Sequence, residues 1–179
     1  LSPVFAVLAL VVVVDTPGPA FHRRRVMARG GGQFDAFKFR TMVVDGDALL
    51  ASQPGLRETL AREMKLKRDP RVTRSGAWMR RLSLDELPQL INVLRGQMSL
   101  VGPRMISPPE LERYGRHADE LLSVRPGITG LWQVSGRSDL DRGDRVRLDL
   151  AYVKTRSLGL DLELLLKTIP AVTRGRGAY

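Results

Sequence analysis

The stretch RRLSLDELPQLINVLRGQMSLVGPR, Arg80 to Arg104, decides how the chain is read. It sets two adjacent carboxylates, Asp85 and Glu86, among leucines, with arginines at both ends. Leu84, Leu87, Ile91, Leu94 and Met98 recur at helical spacing, which predicts a helix from about Leu84 to Arg95. Ser83-x-x-Glu86 has the form of a capping box, and acidic residues favour the positive end of a helix. Pro88 fits near a helix start, where few amide donors have partners, and Gly96 fits the stop. On these residues alone the pair reads either as an ordinary cap or as chemistry. Its spacing does not decide between them.

Working outward, 179 residues suffice for one domain with a real core. Lysine and arginine total 29 against 19 acidic residues, a formal charge of +10. Such a surface seeks anions: nucleic acid, acidic lipid headgroups or phosphorylated substrates. Nucleic acid is the poorest fit, because aromatics are only 6% and the bases are spread across loops rather than stacked along one element. The absence of cysteine excludes disulfides, zinc–thiolate sites and thiol nucleophiles. With only His22 and His117 besides, the metal to expect is a hard cation such as magnesium, held by carboxylates and phosphate oxygens.

The opening LSPVFAVLALVVVV, Leu1 to Val14, carries no charge. At about 1.5 Å per residue it reaches roughly 20 Å, short of a bilayer core of about 30 Å. Asp15 and then Arg23-Arg24-Arg25 follow, the arrangement of a membrane segment with its arginines on the cytoplasmic side. Ser2-Pro3 would break a helix that dips into the bilayer and returns. The chain is therefore expected to begin partway through a re-entrant segment, with 1–14 its second half and 15–179 a cytoplasmic catalytic domain.

Ala20 to Met42 reads as two strands joined by ARGGGQ, with Lys38 and Arg40 on one face of the second and Phe39 on the other. Asp45 to Lys67 is helical with an interruption at Ser52–Gly55, and Lys67 to Gly76 is a basic loop turning at Asp69-Pro70, with Arg71 and Arg74 solvated. MSLVGPRM is an extended segment turning at Gly102-Pro103, which aims Arg104. Helices are predicted over Pro109–Val124, Asp141–Thr155 and Leu158–Thr173. The last has apolar surface to pack in the core or to lie in a membrane interface. RPGITGLWQVSGRS, Arg125 to Ser138, is a glycine-rich loop open to two readings, a structural turn or a phosphate contact through Arg125. The fold class expected is α+β, mainly helical with a small antiparallel hairpin, attached to a membrane through the N-terminal re-entrant helix and amphipathic helices.

KFRTM, DPRVTRSG, SLDELPQLINVLRGQMSLVGPR, RPGITGLWQVSGRS and the terminal RGRGAY, in that order, resemble the bacterial sugar transferases. These are monotopic phosphoglycosyl transferases of surface-polysaccharide assembly, and the ending is similar to that of their longer members. The resemblance implies transfer of a sugar-1-phosphate from a UDP-sugar to a polyprenyl phosphate, with magnesium, at the cytoplasmic face of the bacterial inner membrane. UMP is the leaving group. It implies Asp85 as the nucleophile that forms a phosphosugar-aspartyl intermediate and Glu86 as the magnesium ligand. Arg80, Arg104 and Asp149 map onto family site residues, and Ser2-Pro3 onto the membrane break. Lys38, Arg40 and Arg125 are candidates for phosphate contacts, and Arg23 to Arg25 for lipid headgroups. A helix terminus at the dyad would help keep Asp85 ionised. Membrane lipids are expected partners, nucleic acid is not, and homo-oligomerisation is left open.

Three positions depart from the family pattern: Met105 stands where proline follows GPR, Ala151 replaces an aromatic and Gly159 a tryptophan. The rival reading is a non-catalytic basic scaffold that binds membranes.

Overall fold

The computed structural model describes residues 2–63, 66 and 69–174. Leu1, Lys67 of the basic loop and the part of RGRGAY beyond Arg174 lie outside the described residues. In chain order the elements are α1 (Ser2–Asp15), β1 (Phe21–Met27), β2 (Gln33–Phe39), α2 (Gly46–Ala51), α3 (Pro54–Glu63) and α4 (Arg74–Arg81). A single 3₁₀ turn, Leu84–Glu86, precedes α5 (Gln89–Leu94), β3 (Ser99–Val101) and α6 (Pro108–Leu111). Another 3₁₀ segment, Glu112–His117, leads to α7 (Ala118–Leu122), β4 (Gly127–Thr129), α8 (Leu131–Ser135), α9 (Arg142–Thr155) and α10 (Leu158–Arg174). The architecture is helical with two small sheets, the α+β class expected.

The expected hairpin is present. β1 and β2 pair antiparallel, with Val26 opposite Phe34, Arg24 opposite Ala36 and His22 opposite Lys38. Directly opposed residues share a face, so alternation divides the arginine run. Arg24 joins His22 and Lys38 on the inner face. Arg23 and Arg25 lie on the outer one, Arg23 over the Phe37 ring at 5.8 Å and Arg25 bonded to Asp35 at 3.1 Å. The three arginines therefore do not form one headgroup-facing patch.

Behind the hairpin's inner face, Val26, Phe34 and Ala36 pack on Met98 and Met105. On the opposite side Phe39 is buried with Met79, Leu8 and Val12, which seats α1 on the body of the domain. Phe39 is 1% exposed. Its truncation to alanine costs about 3–5 kcal/mol at such a site. Ser2 and Pro3 belong to α1, which runs without interruption to Asp15. No helix among those residues is long and apolar enough to cross a membrane.

Four expectations are corrected. The helix over Leu84–Arg95 divides into the 3₁₀ turn and α5, separated by Leu87 and Pro88. Proline has no amide hydrogen to donate and restricts its neighbours, so the regular ladder starts only after it. The capping box at Ser83 does not form: Ser83 has φ 54°, in the left-handed region, and makes no side-chain cap bond. A box does form one segment later, where Ser107 and Glu110 cap α6. The helix over Pro109–Val124 is broken at Gly115, whose φ of 47° and ψ of −125° interrupt it. Arg71 is not solvated; it is paired with Asp69 at 2.7 Å and lies near Asp47.

The expected glycine-rich loop holds a strand. β3 and β4 pair in parallel, with Ser99 opposite Gly127 and Val101 opposite Thr129, and an isolated bridge extends the pairing to Arg104. A Cβ on Gly127 would lie 2.1 Å from the Gly102 nitrogen, so only glycine allows this approach.

Candidate active site

A cleft of about 1500 Å³ opens between the hairpin, the Leu84–Glu86 turn, the segment after β3, α8 and α10. Each wall delivers one charged group for a local reason. Lys38 follows Phe34 and Ala36 along the inner face of β2, so the strand that fills the core ends by aiming an ammonium into the cleft. Its Nζ donates to Glu86 Oε1 at 2.7 Å. Arg80, in the last turn of α4, donates from Nε to Thr41 Oγ1 at 2.9 Å, which holds its guanidinium beside the dyad. Arg104 donates from Nη2 to the same Glu86 oxygen at 2.8 Å, while its backbone N–H donates to Asp149 Oδ1 at 3.2 Å. Asn92 welds α5 to β2: its Oδ1 accepts from Phe37 N at 3.0 Å and its Nδ2 donates to the Asp35 carbonyl at 2.9 Å.

The electrostatics separate the two carboxylates of the dyad. For Glu86, burial pushes the pKa up, but Arg104 and Lys38 outweigh it and hold the carboxyl well below the usual carboxylate range. For Asp85, burial is the largest influence and raises its pKa. Lys38, Arg80 and Arg104 oppose that rise, while the neighbouring Glu86 charge adds to it. The idea that a helix terminus keeps Asp85 ionised is corrected: the dyad occupies a 3₁₀ turn, and the surrounding cations oppose burial without overcoming it.

The structure brings Asp85, Glu86, Lys38, Arg80, Arg104 and Asp149 to one place. Arg40 reaches the same cleft wall but spends its donors on the end of α1 and the turn after it. Nε bonds the Pro19 carbonyl at 2.7 Å, Nη1 Thr16 Oγ1 at 2.6 Å and Nη2 the Thr16 carbonyl at 2.7 Å. Arg125 is exposed and outside the cleft, and its neighbours Gly127 to Thr129 are the parallel strand, so the structural reading of that loop is the one the fold uses. Ser2 and Pro3 lie on α1, away from the cleft lining.

Sequence reasoning missed Arg137. It has φ 54° and follows α8, donating from Nη2 to Ser83 Oγ at 2.7 Å and from Nη1 to the Ala171 carbonyl at 3.2 Å. It thereby ties the turn that carries the dyad to α10. The only local signal was the glycine before it in SGRS, since a left-handed residue after a glycine marks a tight bend. Tyr114 was read as one apolar position of a helix face, yet its hydroxyl donates to Asp149 Oδ2 at 2.8 Å. Met105, beside Arg104, is 2% exposed and packed beneath the hairpin.

Among the described residues there is no cluster of three metal-ligating side chains. A magnesium ion needs fewer, because it keeps several waters and shares phosphate oxygens with one or two carboxylates. Asp85 and Glu86 are such a pair. Both cations that hold Glu86 meet at Oε1, and among the described residues no hydrogen bond falls on Oε2. The donor set fits a cation arriving with a diphosphate.

The buried carboxylate pair is ringed by cations that can take phosphate oxygens. Residues 1–175 match the bacterial sugar transferase family, and the chain belongs to it. An uncharacterized sugar transferase of Haemophilus influenzae is 48% identical over 99% of this chain and 38% of its own length. The exopolysaccharide production protein ExoY of Sinorhizobium fredii is 46% identical over 100% of this chain and 81% of its own. The undecaprenyl-phosphate galactose phosphotransferase of Salmonella typhimurium is 47% identical over 99% of this chain and 38% of its own. The chain thus spans well under half the length of two of these relatives and four fifths of the third.

Proposed function

We propose that this protein transfers a sugar-1-phosphate from a UDP-sugar to undecaprenyl phosphate, the first membrane step of a surface glycan. The observation that carries the reading is the burial of Asp85 beside Glu86 in a cleft where Lys38, Arg80 and Arg104 converge. A carboxylate is a weak nucleophile toward a diphosphate unless the phosphate charge is neutralised and the attack is in line. Fixed cations provide that neutralisation in a site with little water, and burial leaves the Asp85 oxygen poorly solvated and reactive.

An oxygen of Asp85 attacks the β-phosphorus. A new P–O bond forms and the bond to the bridging oxygen breaks, so the electron pair leaves with UMP. The phosphate oxygen of the polyprenyl acceptor then attacks the same phosphorus. The aspartyl P–O bond breaks, Asp85 is regenerated as carboxylate, and the lipid-linked sugar diphosphate departs. Both displacements occur at phosphorus, so the sugar keeps its anomeric configuration. Lys38, Arg80 and Arg104 hold the phosphate oxygens through both steps, and Glu86 keeps Lys38 and Arg104 pointed at them. Glu86 would hold magnesium, which would supply further neutralisation of the diphosphate.

The acceptor is a membrane lipid, and the apolar exposure suits a membrane surface. Val4, Val7, Leu10, Val13 and Val14 of α1 are exposed, as are Leu158, Leu162, Leu166 and Ile169 along one side of α10. Helices with such stripes lie in the bilayer interface.

The decisive assay is UMP release by the full-length protein in membranes, from a panel of UDP-sugars with undecaprenyl phosphate and magnesium. Wild type is expected to release UMP only with the lipid present, and Asp85→Asn to lose at least about 1000-fold. Equal release by Asp85→Asn would remove the covalent step. Membrane binding with no release from any sugar would leave the non-catalytic scaffold.

A further inference from the structure

Asp149 is 1% exposed in the middle of α9, with both of its oxygens engaged. Oδ1 takes the Arg104 backbone N–H at 3.2 Å and Oδ2 takes the Tyr114 hydroxyl at 2.8 Å. Tyr114 is itself buried, in the 3₁₀ segment before α7, against Met27, Ile106 and Leu150. Both residues stand in the cleft wall, with their polar atoms turned to each other and to the Arg104 main chain. Arg104, in contrast, is held at its main chain by Asp149 and by the bridge to Gly127, and its guanidinium lies 5.7 Å from the Trp132 ring on its way to Glu86.

We infer that Asp149 and Tyr114 are positioning residues that fix the main chain at Arg104, so that its guanidinium reaches Glu86 and the diphosphate, and that neither touches substrate. The inference rests on the transferase reading above and changes the role the family resemblance implied for Asp149. Two features require such a device. Arg104 follows Gly102-Pro103 without a second proline to stiffen the turn, since Met105 stands there. It also lies just past β3, a strand only three residues long, so little ladder is available to set its direction. A buried carboxylate without a paired cation is costly, and it is replaceable by a neutral group unless something depends on it. Here the dependent group is one amide hydrogen, at the residue that carries the cation. Partners that orient a first contact in this way commonly change activity by about 10–100-fold when removed.

The test uses the full-length protein in membranes and two independent measurements. In the transfer assay, Asp149→Asn is expected to lower kcat by about 10–100-fold with little change in KM, and Tyr114→Phe by less than about 10-fold. In an Arg104→Ala background, Asp149→Asn is expected to have no further effect, because the group it positions is gone. The thermal midpoint of Asp149→Asn at pH 8 should not fall. Losses that multiply in the double variant would show that Asp149 acts at the substrate itself, and would overturn the inference. Hydrogen–deuterium exchange of the Arg104 amide gives the second measurement and needs no activity. Faster exchange in Asp149→Asn and Tyr114→Phe, confined to the segment around Arg104, supports the role; unchanged exchange overturns it. If wild type transfers nothing, the function proposed above falls, while the exchange result still decides this inference.

Discussion

Glu86 and Asp149 grip opposite ends of the same residue. Glu86 takes the guanidinium of Arg104 and Asp149 takes its amide hydrogen. Both carboxylates are largely buried, yet their acidities move apart. Glu86 meets two full positive charges, which outweigh its burial. Asp149 meets chiefly dipoles, the Tyr114 hydroxyl and the Arg104 amide, with a lesser pull from the Arg104 charge, and burial pushes it to about 7. Burial alone therefore does not set ionisation; what matters is whether the partner brings a whole charge or only a dipole. Glu86 is thus held ionised, whereas Asp149 sits near a titration midpoint.

That contrast can be broken most visibly at its charged end. Glu86→Gln leaves Lys38 and Arg104 without their shared counter-ion. Transfer should fall on the order of 100- to 1000-fold, and stability by about 3–5 kcal/mol, as when one member of a buried pair is removed. Loss of activity with an unchanged denaturation midpoint would mean that the two cations find other partners.

The other end should show a smaller effect of opposite sign. Asp149 holds its proton more tightly folded than unfolded, between 3.8 and about 7. At about 1.36 kcal/mol per pH unit, that gap amounts to about 4 kcal/mol, present below pH 4 and lost as pH rises through 7. Glu86 behaves the other way, its stabilisation present above its unfolded pKa and lost as pH falls below it. Asp149→Asn should thus stabilise the protein by about 2 kcal/mol at pH 8 and hardly at all at pH 4, as measured by urea unfolding at both. A loss at pH 8 would reverse the assignment of Asp149 as a costly buried charge.

Tyr114→Phe is the finest of the three probes. It removes one of the dipoles that lower the Asp149 pKa, so the acid limb of the transfer profile should move to higher pH, at a cost of about 1 kcal/mol in stability. The measurement is the pH dependence of kcat. An unmoved limb would show that Asp149 does not titrate in the active form.

The sequence made some parts of this site plain and hid others, for a physical reason. The hairpin was legible because its contacts are local: ARGGGQ must turn, and strands on either side then pair with their own neighbours. The span of α9 was legible in the same way, and in the structure Asp141 caps it by accepting from Asp144 N at 2.7 Å. The parallel pairing of β3 with β4 was not. It joins three residues to three others across a long stretch of chain, which leaves no periodicity to see. Leu84 to Leu94 misled because its apolar spacing suits one helix, whereas Ser83 in a left-handed conformation and Pro88 force a tight turn first. Asp85 and Glu86 were visible only as residues of a recognisable motif; that Lys38 lies against Glu86 needed the fold. Tyr114 and Arg137 were out of reach because a hydroxyl or guanidinium gains a role only from what the chain brings to it.

Arg40 has a mechanical consequence. Its guanidinium clasps the carbonyls at the end of α1 and the turn beyond, while its own backbone continues directly from β2. Helix and strand are thereby riveted two residues from Lys38. Any tilt or change in depth of α1 against whatever surface receives its exposed valines must travel through that rivet to the ammonium in the cleft. The seating of the N-terminal helix and the placement of the Lys38 ammonium are then a single adjustment, so an environment that mis-seats the helix would shift the cleft without touching a residue of the dyad.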